Sequence, residues 1–222
     1  MTPNKEDYLK RIYELSEHNA KITNKEIAAQ MDVSPPAVSE MIKKMIHENW
    51  ITKDKQKGYL ITEKGMVLIS SLYRKHRLIE LFLIKDLGYS EKEVHEEAEI
   101  LEHSVSDKFI DRLEKILNFP ETCPHGGSIP RKNECLNETY TNCLTDVTEL
   151  GCYSLKRYHD HADLLNYLEE HNFHLLDSFE LIEIDDYTKT MTIISEKWSL
   201  TLPHIVCQEL FVEKHLDSAK PN

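Results

Sequence analysis

Two helix-start signals in close succession constrain this chain more than anything else in it. Thr23-Asn-Lys-Glu26 has the capping-box form, and Ile27, Ala28 and Met31 supply a short apolar face behind it. Asp32-Val33-Ser34 then reads as a tight turn. Ser34 can cap a second helix, and Pro35 suits the first helical position, where no N–H is needed. Val38, Met41, Ile42, Met45 and Ile46 recur at helical spacing and leave Ala37, Ser39 and Lys43 outward. Two short helices joined by a tight turn predict a helix-turn-helix. Trp50-Ile-Thr-Lys and Tyr59-Leu-Ile-Thr flank the basic, glycine-containing turn Asp54-Lys-Gln-Lys-Gly58, and together they predict a two-stranded wing. Tyr59 is expected to pack under it. A preceding helix over residues 5 to 17 carries the stripe Tyr8, Leu9, Ile12 and Leu15.

Charge placement agrees with a nucleic-acid reader at the N-terminal end. The chain as a whole is acidic, with a formal net charge of −12 over 222 residues. Residues 1 to 62 carry ten Lys/Arg against nine Asp/Glu, so the acid lies almost wholly downstream. This modest positive footprint predicts weak DNA binding until the downstream acid is neutralised. No apolar run approaches the roughly 18 residues that span a bilayer, and the N-terminus lacks an apolar signal segment. Five cysteines with no C-x-x-C argue for a reducing compartment, so the expected location is cytoplasmic and no membrane partner is expected.

Downstream, a helical segment over 63 to 87 carries Leu68, Leu72, His76, Ile79, Leu83 and Ile84. Another over 91 to 117 carries Val94, Ala98, Leu101, Val105, Phe109, Leu113 and Leu117. Stripes this wide predict a homodimer. On the second segment Glu99, Glu102 and His103 fall at i, i+3 and i+4 and share one face. Two carboxylates and an imidazole together make a partial shell for a divalent ion; the plainer alternative is a solvated acidic face. Residues 118 to 142 read as loop and linker. Beta-type runs follow at 153 to 158, 179 to 184, 190 to 194, 200 to 202 and 210 to 212, with a helix near 162 to 171, so a compact third domain is expected. Phe173 and Trp198 are expected in its core. His159, His161, His171 and His174 are expected to be ordinary surface histidines.

The chain resembles the diphtheria-toxin-repressor family, and within it the manganese-dependent branch. The resemblance is carried by Asn4-Lys-Glu-Asp-Tyr8-Leu, Val33-Ser-Pro-Pro-Ala-Val-Ser39, Tyr73-Arg-Lys-His76-Arg-Leu-Ile-Glu80, Val94-His-Glu-Glu-Ala-Glu99-Ile-Leu-Glu102-His103 and Cys123-Pro-His125-Gly-Gly-Ser-Ile-Pro130. It covers almost the whole length, loosely after residue 130. It implies a mainly α chain with a small β domain: a winged helix-turn-helix over 1–63, a helical metal-binding and dimerisation domain with linker over 64–142, and an SH3-like domain over 143–222.

The resemblance implies two metal sites per subunit, the first formed by Asp7, Glu99, Glu102 and His103, the second by His76, Glu80, Cys123, His125 and Asp160. Iron-responsive members carry cysteine at the position of Glu99, so the oxygen-rich first site suits Mn(II), with Fe(II), Zn(II) or Cd(II) as possible substitutes. His95 is left as a residue supporting the ligands. The expected DNA-facing set is Ser34, Pro35, Pro36, Ser39 and Lys43, with Lys53, Lys55 and Lys57 of the wing on phosphates. The implied function is a homodimeric regulator that binds a double-stranded DNA operator when Mn(II) is present and represses manganese-uptake genes. The same architecture tuned to Fe(II) or Zn(II) is the alternative. A metallohydrolase is remote: His95-Glu96 begins like H-E-x-x-H, but position 99 is Glu rather than the second histidine. No enzymatic activity is expected.

Overall fold

The computed structural model describes residues 4–18 and 21–215. Among them are eight α-helices, a two-stranded wing and a five-stranded antiparallel sheet. Residue contacts divide the chain into two compact units, one formed by Met1–Lys75 with Pro130–Asn137 and the other by His76–Ile129 with Glu138–Asn222.

In the first unit, α1 (Lys5–His18) buries Tyr8, Leu9, Ile12 and Leu15 as its periodicity predicts. Helix α2 (Asn24–Gln30) starts at a complete capping box: Thr23 Oγ1 accepts from Glu26 N at 3.4 Å, and Glu26 Oε2 accepts from Thr23 N at 2.7 Å. Helix α3 (Pro35–His47) is capped by Ser34, whose Oγ accepts from Ala37 N, and it packs Val38, Ile42 and Met45 inward. Strands β1 (Ile51–Asp54) and β2 (Gly58–Ile61) pair antiparallel with Ile51 opposite Ile61. The Asp54 carboxylate closes the wing turn by accepting from the N–H groups of Gln56 and Lys57. Gly58 has φ +81°, and a Cβ there would stand 1.9 Å from Ile22 O, so only glycine lets the wing bridge to the segment before α2. Tyr59 is buried and donates to Asn24 Oδ1 at 2.6 Å.

Helix α4 (Glu63–Leu87) begins in the first unit and ends in the second. The predicted continuous helix over 91 to 117 is two helices, α5 (Glu91–Glu102) and α6 (Asp107–Ile116). The reason is local. Ser106 Oγ accepts from Phe109 N at 3.2 Å, so this serine caps a new helix instead of extending the old one.

The remainder of the second unit is built on β3 (Gly151–Tyr158), β4 (Ser178–Asp185), β5 (Thr190–Ile194), β6 (Ser199–Pro203) and β7 (Leu210–Lys214), in the sheet order β6-β5-β4-β3-β7. Alternation along β4 and β5 sends Phe179, Leu181, Met191 and Ile193 to one face. There they meet Leu155, Leu202, Phe173 and the buried side of α7 (Ala162–Glu170). Each such fully buried aliphatic or aromatic side chain contributes about 1.5–3 kcal/mol. Phe173 packs edge-on against Trp198 in this core. A short helix α8 (His204–Cys207) leads into β7. Among the described residues no helix is long and apolar enough to cross a membrane.

Candidate metal centre

Helical spacing on α4 stacks His76 over Glu80 at i, i+4, and neither side chain retains any solvent exposure. His76 Nε2 lies 3.1 Å from Glu80 Oε1 and 3.0 Å from Asp160 Oδ2. The other ring nitrogen, Nδ1, lies 2.6 Å from Glu102 Oε2 on α5. His95, two turns earlier on the same face of that helix, sets its ring 5.5 Å from that of His76. On the far side of Glu80, Oε2 lies 3.6 Å from His125 Nδ1. Two ligand groups therefore share one carboxylate: His76, Glu80, His95 and Asp160, and Glu80, Cys123 and His125, with the ligand atoms of each group within 4.8 Å of one another.

The loop carrying Cys123 and His125 is held by its own backbone. Cys123 N donates to Gly127 O at 2.9 Å, and Gly126 N donates back to Cys123 O at 3.1 Å. Gly126 has φ +80°, and a Cβ on it would stand 2.0 Å from Lys156 O, so the loop lies directly on the β3 backbone. Tyr158 N donates to His125 O at 3.1 Å and stitches the end of β3 to the loop. From the other side, Arg77 of α4 donates to Ser128 O and to Glu138 Oε1, and Arg157 lies within 3.7 Å of the same carboxylate. Glu138, Arg77 and Arg157 are all buried.

Charge balance in the pocket is set by proximity. Burial alone pushes the Glu80 carboxyl up, but the His76 and His125 imidazoles beside it outweigh that and hold it well below the usual carboxylate range. Burial pushes His125 down, yet the Glu80 carboxylate and the Cys123 side chain outweigh that and raise it well above its ordinary value.

The donor set fits a divalent cation. Both carboxylate oxygens of Glu80 and both ring nitrogens of His125 are buried and make no hydrogen bond of ordinary geometry among the described residues. A buried polar atom in that state costs about 1–3 kcal/mol, which a shared cation would offset. Two ligand atoms each about 2.1 Å from one ion stand roughly 3 to 3.5 Å apart. The 3.0, 3.1 and 3.6 Å separations found here are of that size.

Of the residues expected in the first site, Glu102 is buried and lies 3.2 Å from His103 Nε2 through its second oxygen. The Glu99 side chain is half exposed and approaches His95 Nε2 at 3.3 Å. Asp7 belongs to the first unit, on α1, where its carboxylate accepts from Asn4 N at 2.7 Å. The five residues expected in the second site fall into two groups joined only through Glu80: His76, Glu80 and Asp160 in one, and Glu80, Cys123 and His125 in the other. His95 joins the first of these groups directly; the signal for it was its position four residues before Glu99 on a helix that also carries Glu102.

His159 and His161 differ from expectation. Strand β3 ends at Tyr158, so they flank Asp160 in the connection that follows it. Both are half-buried and turn toward Glu209. Glu209 itself escaped sequence reading because nothing in its neighbourhood has ligand spacing.

Among the helix-turn-helix residues, Ser34, Pro35, Pro36 and Lys43 are exposed on α3 and its cap, and Lys53, Lys55 and Lys57 are exposed on the wing. Ser39 is half-buried; its hydroxyl accepts from Asn24 Nδ2 at 2.8 Å and donates to Pro35 O at 3.0 Å.

Comparison with known proteins agrees with this architecture. The family described as "Iron dependent repressor, N-terminal DNA binding domain" matches residues 1–64, and "Iron dependent repressor, metal binding and dimerisation domain" matches residues 62–131. The iron-dependent repressor IdeR of Mycobacterium tuberculosis is 38% identical over 125 residues, which are 56% of this chain and 54% of the relative. The chain thus spans about half the length of such curated relatives. The crystal structure of the metal-dependent transcriptional regulator MtsR superposes with a TM-score of 0.94 at 56% identity, covering 97% of this chain and 100% of that one. The manganese regulator SloR does so with a TM-score of 0.91 at 53% identity, covering 97% and 100%. These family matches and relatives are repressors and regulators, not enzymes. With a winged helix-turn-helix followed by a cluster of carboxylate, imidazole and thiol groups of a kind that could hold a metal ion, the chain belongs to the iron-dependent repressor, or diphtheria-toxin-repressor, family.

Proposed function

We propose that this chain is a homodimeric, Mn(II)-responsive transcriptional repressor that binds a double-stranded operator. The observation that carries the reading is the pair of buried ligand groups sharing Glu80, in a chain whose first unit is a winged helix-turn-helix. The ion supplies a compact double positive charge that several carboxylates and imidazoles can share. His76, Glu80, Cys123, His125 and Asp160 would hold one ion, with His95 beside them. Asp7, Glu99, Glu102 and His103 would hold the other. Asp7 is carried by the unit that holds the reader, whereas the other three ligands are not. Occupancy therefore favours one arrangement of the reader and shifts the population toward it. Oxygen ligands predominate in the first set, which suits Mn(II), and SloR, a manganese regulator, shares the fold. The exposed Ser34, Pro35, Pro36 and Lys43, with the half-buried Ser39 beside them, would meet the major groove, and the wing lysines would meet phosphates. Manganese-uptake genes are the proposed targets.

A second reading, response to Fe(II) or Zn(II), is favoured by one observation: Cys123 is buried beside Glu80 and His125, and a thiolate draws softer ions.

Fluorescence anisotropy of labelled DNA from upstream of a manganese-uptake gene tests both. The protein is titrated in chelator, then with Mn(II), anaerobic Fe(II) and Zn(II) at controlled free concentration. Binding that appears with Mn(II) at lower free metal than with the others is the expected result. Equal binding with chelator and with every metal would overturn the reading.

A further inference from the structure

Asp160 is the one proposed ligand of the second site that follows the C-terminal sheet's first strand, and it sits in a short connection between β3 and α7. A carboxylate on such a connection has no regular secondary structure of its own to aim it. The two residues on either side of it converge on a single carboxylate. The Nδ1 atom of His159 is hydrogen-bonded to Glu209 Oε2, and His161 Nε2 lies 3.8 Å from the same oxygen. The backbone joins them too, His159 N donating to Glu209 O at 3.2 Å. His161 Nδ1 accepts from Leu164 N at 3.4 Å as the cap of α7, which leaves its ring proton on Nε2, toward Glu209. The His159 ring is wedged edge-on against Phe211 at 5.2 Å. Glu209 sits between α8 and β7, its side chain 15% exposed, and contributes no ligand atom to either group.

We propose that Glu209 is a positioning residue of the second site: by gripping His159 and His161 it fixes the intervening Asp160 toward His76, and so sets that site's affinity for a divalent ion. This inference rests on the reading of Asp160 as a ligand. Groups bonded directly to a metal ligand are worth about 10–100-fold in affinity, and a residue acting one step further back belongs at the low end of that range.

The test is a titration of the metal-free full chain with Mn(II) against a competing chelating dye, for the wild type, Glu209→Ala, Glu209→Gln, Asp160→Ala and the Glu209→Ala/Asp160→Ala double variant. Circular dichroism of each metal-free protein reports the sheet. Glu209→Ala is expected to weaken one of two sites by up to about 10-fold, the lower end of the range for direct partners of a ligand, and to spare the other. The double variant is expected to bind no more weakly than Asp160→Ala alone, because both changes act through one carboxylate. If Glu209→Ala fails to fold, Glu209→Gln, which keeps the shape and removes the charge, decides by the same comparison. Wild-type affinity in the Glu209 variants, or losses that multiply in the double variant, would overturn the inference while Asp160→Ala still weakens binding. Unchanged affinity in Asp160→Ala would overturn the second-site reading, and this inference with it.

Discussion

His76 Nδ1 lies 2.6 Å from Glu102 Oε2, with both side chains withdrawn from solvent. The contact links the two proposed ion sites through one imidazole, because the opposite ring nitrogen faces Glu80 and Asp160. Replacing His76 by Ala leaves the buried carboxylates of Glu80 and Glu102 without this imidazole. Breaking a buried pair in this way costs about 3–5 kcal/mol. The expected outcome is a lower urea midpoint for the metal-free protein, together with weaker Mn(II) binding at both sites. Loss at only one site would show that the imidazole does not couple them.

Glu80 and His125 each contribute to the pH dependence of the metal-free protein's stability. Glu80 is held below its ordinary value, so its contribution is present above the unfolded carboxylate value of about 4.3 and is lost as pH falls through the folded one. His125 is raised, so its contribution is complete below about pH 6.5 and is lost as pH rises through the folded value. Urea midpoints measured in chelator should hold between those limits and fall on the alkaline side. Mn(II) affinity should move the opposite way and rise with pH, since the proton on His125 must leave before the nitrogen can bind an ion. An affinity independent of pH through neutrality would remove His125 from the ligand set.

Gly126→Ala tests the loop. Its φ of +80° and the 2.0 Å approach of the added Cβ to Lys156 O demand a shift of the segment between Cys123 and Gly127. Destabilisation of more than about 1 kcal/mol is expected, with weakened binding at the second site and unaltered binding at the first. Calorimetric titration resolves the two.

The wing lysines give a salt signature. Replacing Lys53, Lys55 and Lys57 with Ala removes three exposed cations. If each meets a phosphate, the slope of log affinity against log salt falls by about one for each. An unchanged slope in anisotropy titrations would place the wing away from the backbone.

Much of this was legible in the chain. Thr23, Glu26, Ser34 and Pro35 announce their helices because caps act over three residues. His76 and Glu80 stand one turn apart on a helix, so spacing alone shows them. The break at Ser106 was missed because the apolar stripe runs on through Val105 and Phe109, and periodicity outweighed a single capping serine. Glu99 sits on the expected helix, yet its side chain turns to His95, a choice among rotamers that no spacing rule contains.

Element positions, caps, the wing turn and the ligand-bearing helix faces are governed by interactions within a few residues and can be read along the chain. Which distant groups meet depends on the three-dimensional packing. Asp160 reaches His76, Gly126 lies on the Lys156 carbonyl and Glu209 reaches His159, each across tens of residues of chain. Such contacts depend on the packing of the whole sheet against its helices and on the desolvation that packing imposes, and no local pattern encodes either.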